Sequence, residues 1–446
     1  MASTLITIGR SGAAAARASL ELTAQNIANA GNEDYSRRTL GQSELVGAAT
    51  IGLYSGTAVH GVRIGNVQRA DNALAREQVR ATGSDLARAD AELESLRSAE
   101  TALEQSRLFE GLVDFEAALT RLASDPLDPA LRITALESAR QLADRFQVTN
   151  NALGDARELA QSQVSAGVDE VNRQAEALAR INDRLTRTEP DTAGQAALFD
   201  QRDAALSALS EELGIDVEFG ERGVVNVRLG DGSGPLLVDG TSATVLSASF
   251  AADGTANFDL GGTAVSLNSG GLAGRASALT LQADLQTQLD DIALSTITRA
   301  NTAQANGVAQ DGSAGQPLFS GIGAADITMV LGSPNGIATA PAGAPAGSRD
   351  ASNLLALIAS IGADDGPVAG SDALLLGISS RISGQETTRT ALAAIADSAE
   401  AALLRDTGVD LDTEAANLVR LQQAFEANSR VIQVAADLFD TVLGLR

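Results

Sequence analysis

Apolar side chains return every seven residues through the last stretch of the chain, at Leu411, Leu418, Phe425, Ile432 and Phe439, with Leu421, Ala435 and Val442 on a companion seam. Neither glycine nor proline occurs between Val409 and Leu443. A heptad period sustained that long predicts a coiled-coil helix of roughly 50 Å at about 1.5 Å per residue. The opposite end carries a fainter stripe, with Ile6, Ala13, Leu20 and Ile27 on one seam and Gly9, Ala16, Thr23 and Ala30 on the other. Small side chains let a partner backbone come close but bury little area, so this helix is not expected to hold alone against its conformational entropy. Its natural partner is the C-terminal helix, of its own chain or of a neighbour.

Long helical segments fill much of the interval. Leu86, Leu93, Leu96 and Leu103 mark Asn72 to Ser106, and Val164, Val171, Leu178 and Leu185 mark Ile133 to Arg187. Ala273 to Asn306 and Gln385 to Leu404 are similarly rich in alanine and leucine. The prolines respect these segments, none falling before Pro126 or after Pro367, as expected of residues that break helix interiors. Asp125-Pro126-Leu127-Asp128-Pro129 reads as a helix break, with Asp128 capping a helix whose first residue is Pro129. From about 215 to 271 the period changes to two: Ile215, Val217 and Phe219, then Val225, Val227 and Leu229, later Phe258 with Leu260 and Val265 with Leu267. Glycine-rich turn signals punctuate these runs, predicting a small inserted β domain. Gly307 to Gly347 reads as loop with a short strand at Ile327 to Leu331.

Apolar stripes serve equally to close a monomeric core. Here the two best stripes lie at opposite ends of the chain, one is weak, and everything else is inserted between them. A terminal helical hairpin that neighbouring copies then pack accounts for all three observations.

Composition narrows the chemistry. The 446 residues contain no cysteine, tryptophan or lysine, one histidine (His60) and two tyrosines, Tyr35 and Tyr54. Cysteine nucleophiles, disulfides, Schiff-base lysines and multi-histidine metal cages are thereby excluded. A net charge of −25 argues against nucleic acid as partner and predicts salt-sensitive packing of like-charged copies. Gly230 to Gly234 lies between strand patterns rather than opening a helix, so it reads as a hairpin turn, not a phosphate loop. His60 has no spaced partner and reads as structural. Asp200-Gln201-Arg202-Asp203 carries its own compensating cation and reads as a solvated or inter-helix ion pair. No catalytic, cofactor-binding or metal-ligating residue is assigned. Arg10 and Arg17 interrupt any secretory apolar region, and the long uncharged stretch before Arg349 contains Pro334, Pro341 and Pro345, so no membrane span is expected.

Two motifs carry a family resemblance. Ala24-Gln25-Asn26-Ile27-Ala28-Asn29-Ala30 followed by Tyr35-Ser36-Arg37-Arg38 resembles the N-terminal signature of bacterial flagellar axial proteins. Asp410 to Leu418 and Gln422 to Ile432 resemble the matching C-terminal end, with Asn417 and Asn428 in motif positions. Ser124-Asp125-Pro126 with Leu131-Arg132, Leu198 to Asp203, Gly270 to Arg275, Asn301 to Gly307 and Pro317-Leu318-Phe319 are similar to landmarks of the hook-associated protein 1 family, found at the hook–filament junction. Two departures stand out: Glu33-Asp34 replaces the usual glycine before the tyrosine, and the segment after Phe319 is short, without the outermost domain of longer relatives.

The resemblance implies a mainly α fold with a small inserted β domain: an elongated rod with a terminal coiled-coil domain (1–45 and 405–446), an α-helical rod (46–214 and 272–404) and an outer β domain (215–271). It implies a structural, non-enzymatic, cofactor-free protein, exported unfolded to the flagellum without a cleaved signal and delivered by a chaperone that holds the C-terminal helix. It also implies self-assembly into a ring-like layer between hook protein and a second junction protein or flagellin. The alternatives are another axial protein, hook or flagellin-like, and a scaffold-borne cell-wall hydrolase. The expected subunit-interface residues are Ile6, Ala13, Leu20, Ile27, Leu411, Leu418, Leu421, Phe425, Ile432 and Phe439, and the motif residues are Asn26, Asn29, Tyr35, Asn417 and Asn428.

Overall fold

The computed structural model describes residues 2–32, 34–45, 60–230 and 232–444; Glu33 of the signature turn, Tyr54, Val59 and Asp231 lie outside these, as does the Val442 side chain. Helix α1 (Ala2–Ala28) leads into an antiparallel hairpin of β1 (Arg38–Leu45) and β2 (Gly61–Arg69), followed by helices α2 (Ala73–Ser106), α3 (Leu108–Ser124), α4 (Pro129–Arg187) and α5 (Ala193–Glu212). Strands β3 (Ile215–Phe219), β4 (Val225–Leu229), β5 (Leu236–Asp239), β6 (Ser242–Ala243), β7 (Leu246–Phe250), β8 (Ala256–Leu260) and β9 (Thr263–Val265) come next. Helices α6 (Gly271–Ala305), α7 (Ser352–Ile361), α8 (Pro367–Thr407) and α9 (Leu411–Gly444) follow. The class is mainly α with long helices and small sheets. No helix among the described residues is long and apolar enough to cross a membrane.

By contacts the chain divides into two compact units, one of Met1–Ser84, Glu170–Val245 and Ala393–Arg446, the other of Asp85–Asp169 and Leu246–Leu392. In the second unit the core is apolar throughout. Leu108, Leu112, Phe115, Leu119 and Leu122 recur at intervals of three and four along α3, which puts them on one face, and every one is buried. They meet Leu142 and Phe146 of α4, Leu289 and Ala293 of α6, Leu354 and Ile361 of α7, and Phe319 and Ile327 of the loop region. Phe115 and Phe319 pack edge to face with ring centroids 6.0 Å apart, the favoured geometry for an aromatic pair.

The break before α4 is built as its residues predict. Pro129 is the first helical residue, and the Asp128 carboxylate accepts from the backbone N–H groups of Ala130 at 2.7 Å and Leu131 at 3.1 Å. One turn on, Arg132 is fully buried with no carboxylate among its hydrogen-bond partners. It donates to the carbonyls of Pro126 (2.7 Å), Ile337 (3.0 Å) and Pro334 (3.3 Å), and to the Thr339 hydroxyl. Burial pushes its pKa down, and the acceptors supply the solvation that water would. Arg132 thereby pins the 334–339 loop to α4. Gly274 explains its own presence: a Cβ there would collide with the Arg88 carbonyl, so glycine is what lets α6 lie against α2.

The period-two segment is a small β insert between α5 and α6. Its strands form two sheets, of order β3-β4-β5-β6 and β7-β8-β9, and these fall in different contact units. Each has its own apolar face, Val225, Val227, Leu237 and Val238 in the first and Leu246, Phe258 and Leu260 in the second. β6 is only two residues long and closes the first ladder, so the chain opens a new one at Leu246. Alternation announces faces, not which strands share a sheet. The β1–β2 hairpin and the helices α3 and α7 are not among the elements expected above, although α3 carries a clear helical period of its own, whereas α8 extends well beyond its expected span.

Candidate assembly interface

Helices α1 and α9 run antiparallel: Gly9 and Gly12 meet Asn428 and Ile432, while Asn26, near the other end of α1, meets Glu414. The small residues of α1 set the spacing. A Cβ on Gly9 would lie 2.8 Å from Ile432 Cγ1, and one on Gly12 would overlap the Asn428 amide. Ala15, Ala16, Leu22, Thr23 and Asn26 of α1 are buried, as are Glu414 and Ala435 of α9.

The signature residues form a polar knot at the Asn26 end. The Tyr35 hydroxyl donates to Asn26 Oδ1 at 2.8 Å, and the Arg38 backbone N–H donates to the same oxygen at 3.1 Å. Asn26 Nδ2 donates to the Arg38 carbonyl at 2.9 Å and to Glu414 Oε2 at 3.4 Å. Glu414, 1% exposed, also accepts from Arg37 Nε at 2.7 Å. The Arg37 backbone N–H donates to the Thr407 carbonyl, and Arg76 donates to the Ser36 hydroxyl. The segment Tyr35 to Arg38 thus ties α1, α2, the end of α8 and α9 together through side chains hundreds of residues apart. Burial pushes the Tyr35 hydroxyl up; the Arg38 guanidinium, 4.8 Å from the ring, opposes this, and the charges of Asp200 and Glu414 add to the rise. Tyr35 therefore remains a protonated donor well past neutrality.

Beneath the knot lies a buried charge cluster. Asp203 accepts from Arg202 and Arg69, each at 2.7 Å, and pairs with Arg76 at 3.2 Å. Asp200 pairs with Arg69 at 2.8 Å and with Arg38. Burial alone would raise the Asp203 pKa, but the charges of Arg202, Arg69 and Arg76 outweigh it and hold the carboxyl below its ordinary value. Burial likewise works against the Arg69 cation, and Asp203 with Asp200 more than reverses the effect. Arg80 stays depressed by burial, which the charges of Asp203 and Glu77 do not offset. The Asp200–Asp203 quartet is thus an ion-pair site, as its composition suggests, but a buried one that recruits arginines from β1, β2 and α2. Nothing in the quartet itself signals those partners.

The expected interface residues separate into groups. Ile6, Ala13, Leu20 and Ile27 are half-buried. Leu418, Leu421 and Ile432 are half-buried, Ile432 against Gly9 of the same chain. Leu411, Phe425 and Phe439 are exposed, as are Val419, Val431, Val434 and Leu438, which the heptad pattern omits. Among the motif residues, Asn26 and Tyr35 make the knot. Asn29 donates to the Gln25 carbonyl of its own helix, Asn417 accepts from Arg420, and Asn428 packs against Gly12 while donating to the Ala424 carbonyl. His60 is exposed immediately before β2. Glu414 and Arg37 lie inside the quoted motifs, but only the fold pairs them.

A cleft of about 350 Å³ beside the knot is lined by Leu22, Thr23, Arg37, Arg420, Leu421 and Glu414, among others. Among the described residues that line it Glu414 is the one carboxylate, and it is already engaged by Arg37 and Asn26. Among the described residues no group of histidine and carboxylate side chains is arranged to hold a metal ion.

Residues 93–319 match the family described as flagellar hook-associated protein FlgK helical domain, and residues 402–445 match flagellar basal body rod FlgEFG protein C-terminal. Flagellar hook-associated protein 1 of Escherichia coli (strain K12) is 28% identical, over 71% of this chain and 60% of that protein. The Salmonella typhimurium protein of the same name is 27% identical over 71% and 59%, and that of Bacillus subtilis (strain 168) is 24% identical over 96% and 95%. The chain thus spans about 60% of the length of the first two of these relatives. The flagellar hook junction protein FlgK from Burkholderia pseudomallei has a solved structure that aligns with a TM-score of 0.48 and 23% identity, over 55% of this chain and 46% of that one.

Proposed function

The chain belongs to the family of the flagellar hook-associated protein FlgK helical domain, and on that premise we propose that it is a structural protein of the flagellar axis that assembles at the hook tip and joins hook to filament. The observation that carries the reading is the unfinished packing of α9. Its seam against α1 is closed within the chain, yet Leu411, Val419, Val431, Val434 and Leu438 remain between 39% and 57% exposed. A terminal helix with one face paired and further apolar side chains in water is built to be covered by neighbouring copies. Polymerisation then buries those side chains, and ordering of the helix ends is coupled to assembly. The partners that follow are further copies of this chain, hook protein below, and a second junction protein or flagellin above. Before export, a chaperone that shields α9 would keep the same side chains from aggregating. The site of action is the extracellular flagellum.

The exposed and the internally paired residues of α9 give different experiments. Val434→Asp or Phe425→Asp should abolish incorporation at the hook tip, and with it swimming, while urea unfolding of the purified chain is unchanged. Ile432→Asp breaks the α1 seam as well and serves as the contrast. Normal motility in both Val434→Asp and Phe425→Asp strains overturns the reading.

A further inference from the structure

A chain with a net charge of −25 repels its own copies, so a contact between copies is favoured where one of them offers a cation with no carboxylate of its own. The cleft beside the polar knot does so. Arg37, Arg38 and Arg420 line it against one carboxylate, Glu414. Arg37 is held by Glu414 and Arg38 by Asp200. Arg420 is exposed, and its hydrogen bond, at 3.1 Å, goes to the Asn417 amide oxygen rather than to a carboxylate. Leu22, Leu40 and Leu421 supply apolar wall around these polar groups. A cation beside apolar wall is complementary to a carboxylate beside apolar side chains.

The far end of α9 has that make-up. Val434, Asp437, Leu438 and Thr441 fall at i, i+3, i+4 and i+7, which places them on one face of the helix. All four are exposed. The last two turns of α9 carry Asp437 and Asp440 and no arginine, whereas the partial negative charge of a helix C-terminus favours cations. Among the described residues neither aspartate forms an ion pair. Their complement is a cation from outside the helix.

We propose that the 434–441 face of one copy seats in the arginine-lined cleft of the next, with Asp437 against Arg420 and with Val434 and Leu438 against Leu40 and Leu421; this rests on the self-assembly reading above. A single copy cannot make the contact, because Asp437 lies on the same continuous helix as Arg420, roughly 25 Å further along at about 1.5 Å per residue. The occupant is therefore a second copy. One end of the α1–α9 pair meets the opposite end of its neighbour, a heterologous contact that propagates from copy to copy and closes into a ring when the rotation allows.

Charge exchange tests the pairing. Arg420→Glu and Asp437→Arg lie at exposed positions outside the knot, so each should leave the circular dichroism spectrum and urea midpoint of the full chain unchanged. Each should raise several-fold the concentration at which sedimentation shows assembly. Carrying both substitutions in one chain should restore assembly toward that of the parent, and so should mixing the two single variants. Because the chain has no native cysteine, a short bis-maleimide can join Gln42→Cys, at the exposed rim of the cleft, to Thr441→Cys; the mixture should cross-link far more than either variant alone. Single variants that assemble like the parent overturn the contact and leave the self-assembly reading standing. Impaired single variants that neither the double variant nor the mixture rescues overturn it too, because the two residues then act at separate places. Self-linking of either cysteine variant as efficient as that of the mixture reports a two-fold contact and also overturns the proposal. A parent chain that stays monomeric at every concentration overturns both readings.

Discussion

Leu112, Phe115, Leu119 and Leu122 of α3 present almost no surface to water, whereas α9, equally helical, leaves Leu411, Val419, Val434 and Leu438 about half exposed. The Asp85–Asp169 and Leu246–Leu392 unit is closed by large apolar side chains that fill one another's gaps. The α1–α9 pair is held by glycine-sized spacing along its seam and by a polar knot at one end. A dense apolar core gains its stability from area removed from water and needs nothing from outside. A thin seam with directional hydrogen bonds specifies register and partner while gaining little area. The difference separates a part whose apolar core is closed within the chain from a part that leaves apolar side chains of α9 in water.

That separation is tested most severely where the self-sufficient core is hollowed. Phe115→Ala should remove about 3–5 kcal/mol from the unit that contains it, read as a lower urea midpoint, with hydrogen exchange in α9 unaltered. Next comes the buried charge cluster. Asp203→Asn leaves Arg69, Arg76 and Arg202 short of a countercharge and should cost about 3 kcal/mol. In the unaltered chain the depressed Asp203 pKa means that below the ordinary value of 3.8 the unfolded chain binds more protons than the native one. Its contribution is therefore full above that pH and is lost as pH falls through the native pKa. Thermal unfolding of Asp203→Asn should show a shallower acid limb than the parent; parallel limbs would contradict the assignment.

Smaller effects refine the contrast on the side of the thin seam. Gly9→Ala forces α1 away from Ile432 and should destabilise the seam by about 1–3 kcal/mol. Faster proteolysis of α1 and α9, with α3 protected as before, is the expected pattern. Tyr35→Phe deletes one donor to Asn26, an effect of about 1 kcal/mol. It should appear as faster exchange of the Arg38 amide and of the first turns of α9, and as nothing in the other unit.

Much of the helical layout is legible in the amino-acid sequence. The α2 and α6 boundaries, the Asp128 cap with Pro129 and the two terminal stripes follow from spacing, because helix periodicity and breakers act over a few residues. Strand patterns at 215–219 and 225–229 are equally plain, yet their grouping is not. The pattern of β7 and β8 looks like a continuation of β3 to β5, and only pairing decides that a second sheet begins. The candidate interface is half legible: heptads find Leu411, Phe425 and Phe439, but treat Ile432, which faces Gly9 of its own chain, in the same way as residues that face water.

Period, composition and capping residues suffice to make this a mainly helical chain without thiol or lysine chemistry, with long helices at both ends and a signature of Asn26, Tyr35 and a C-terminal asparagine motif. Those properties are local, each written within a few turns of chain. Tertiary packing is what brings Asn26 to Glu414, 388 residues away, gathers arginines from β2, α2 and α5 around Asp203, and leaves certain apolar side chains of α9 uncovered. Contacts of that separation depend on where whole helices come to rest, and no spacing within a helix records its neighbour.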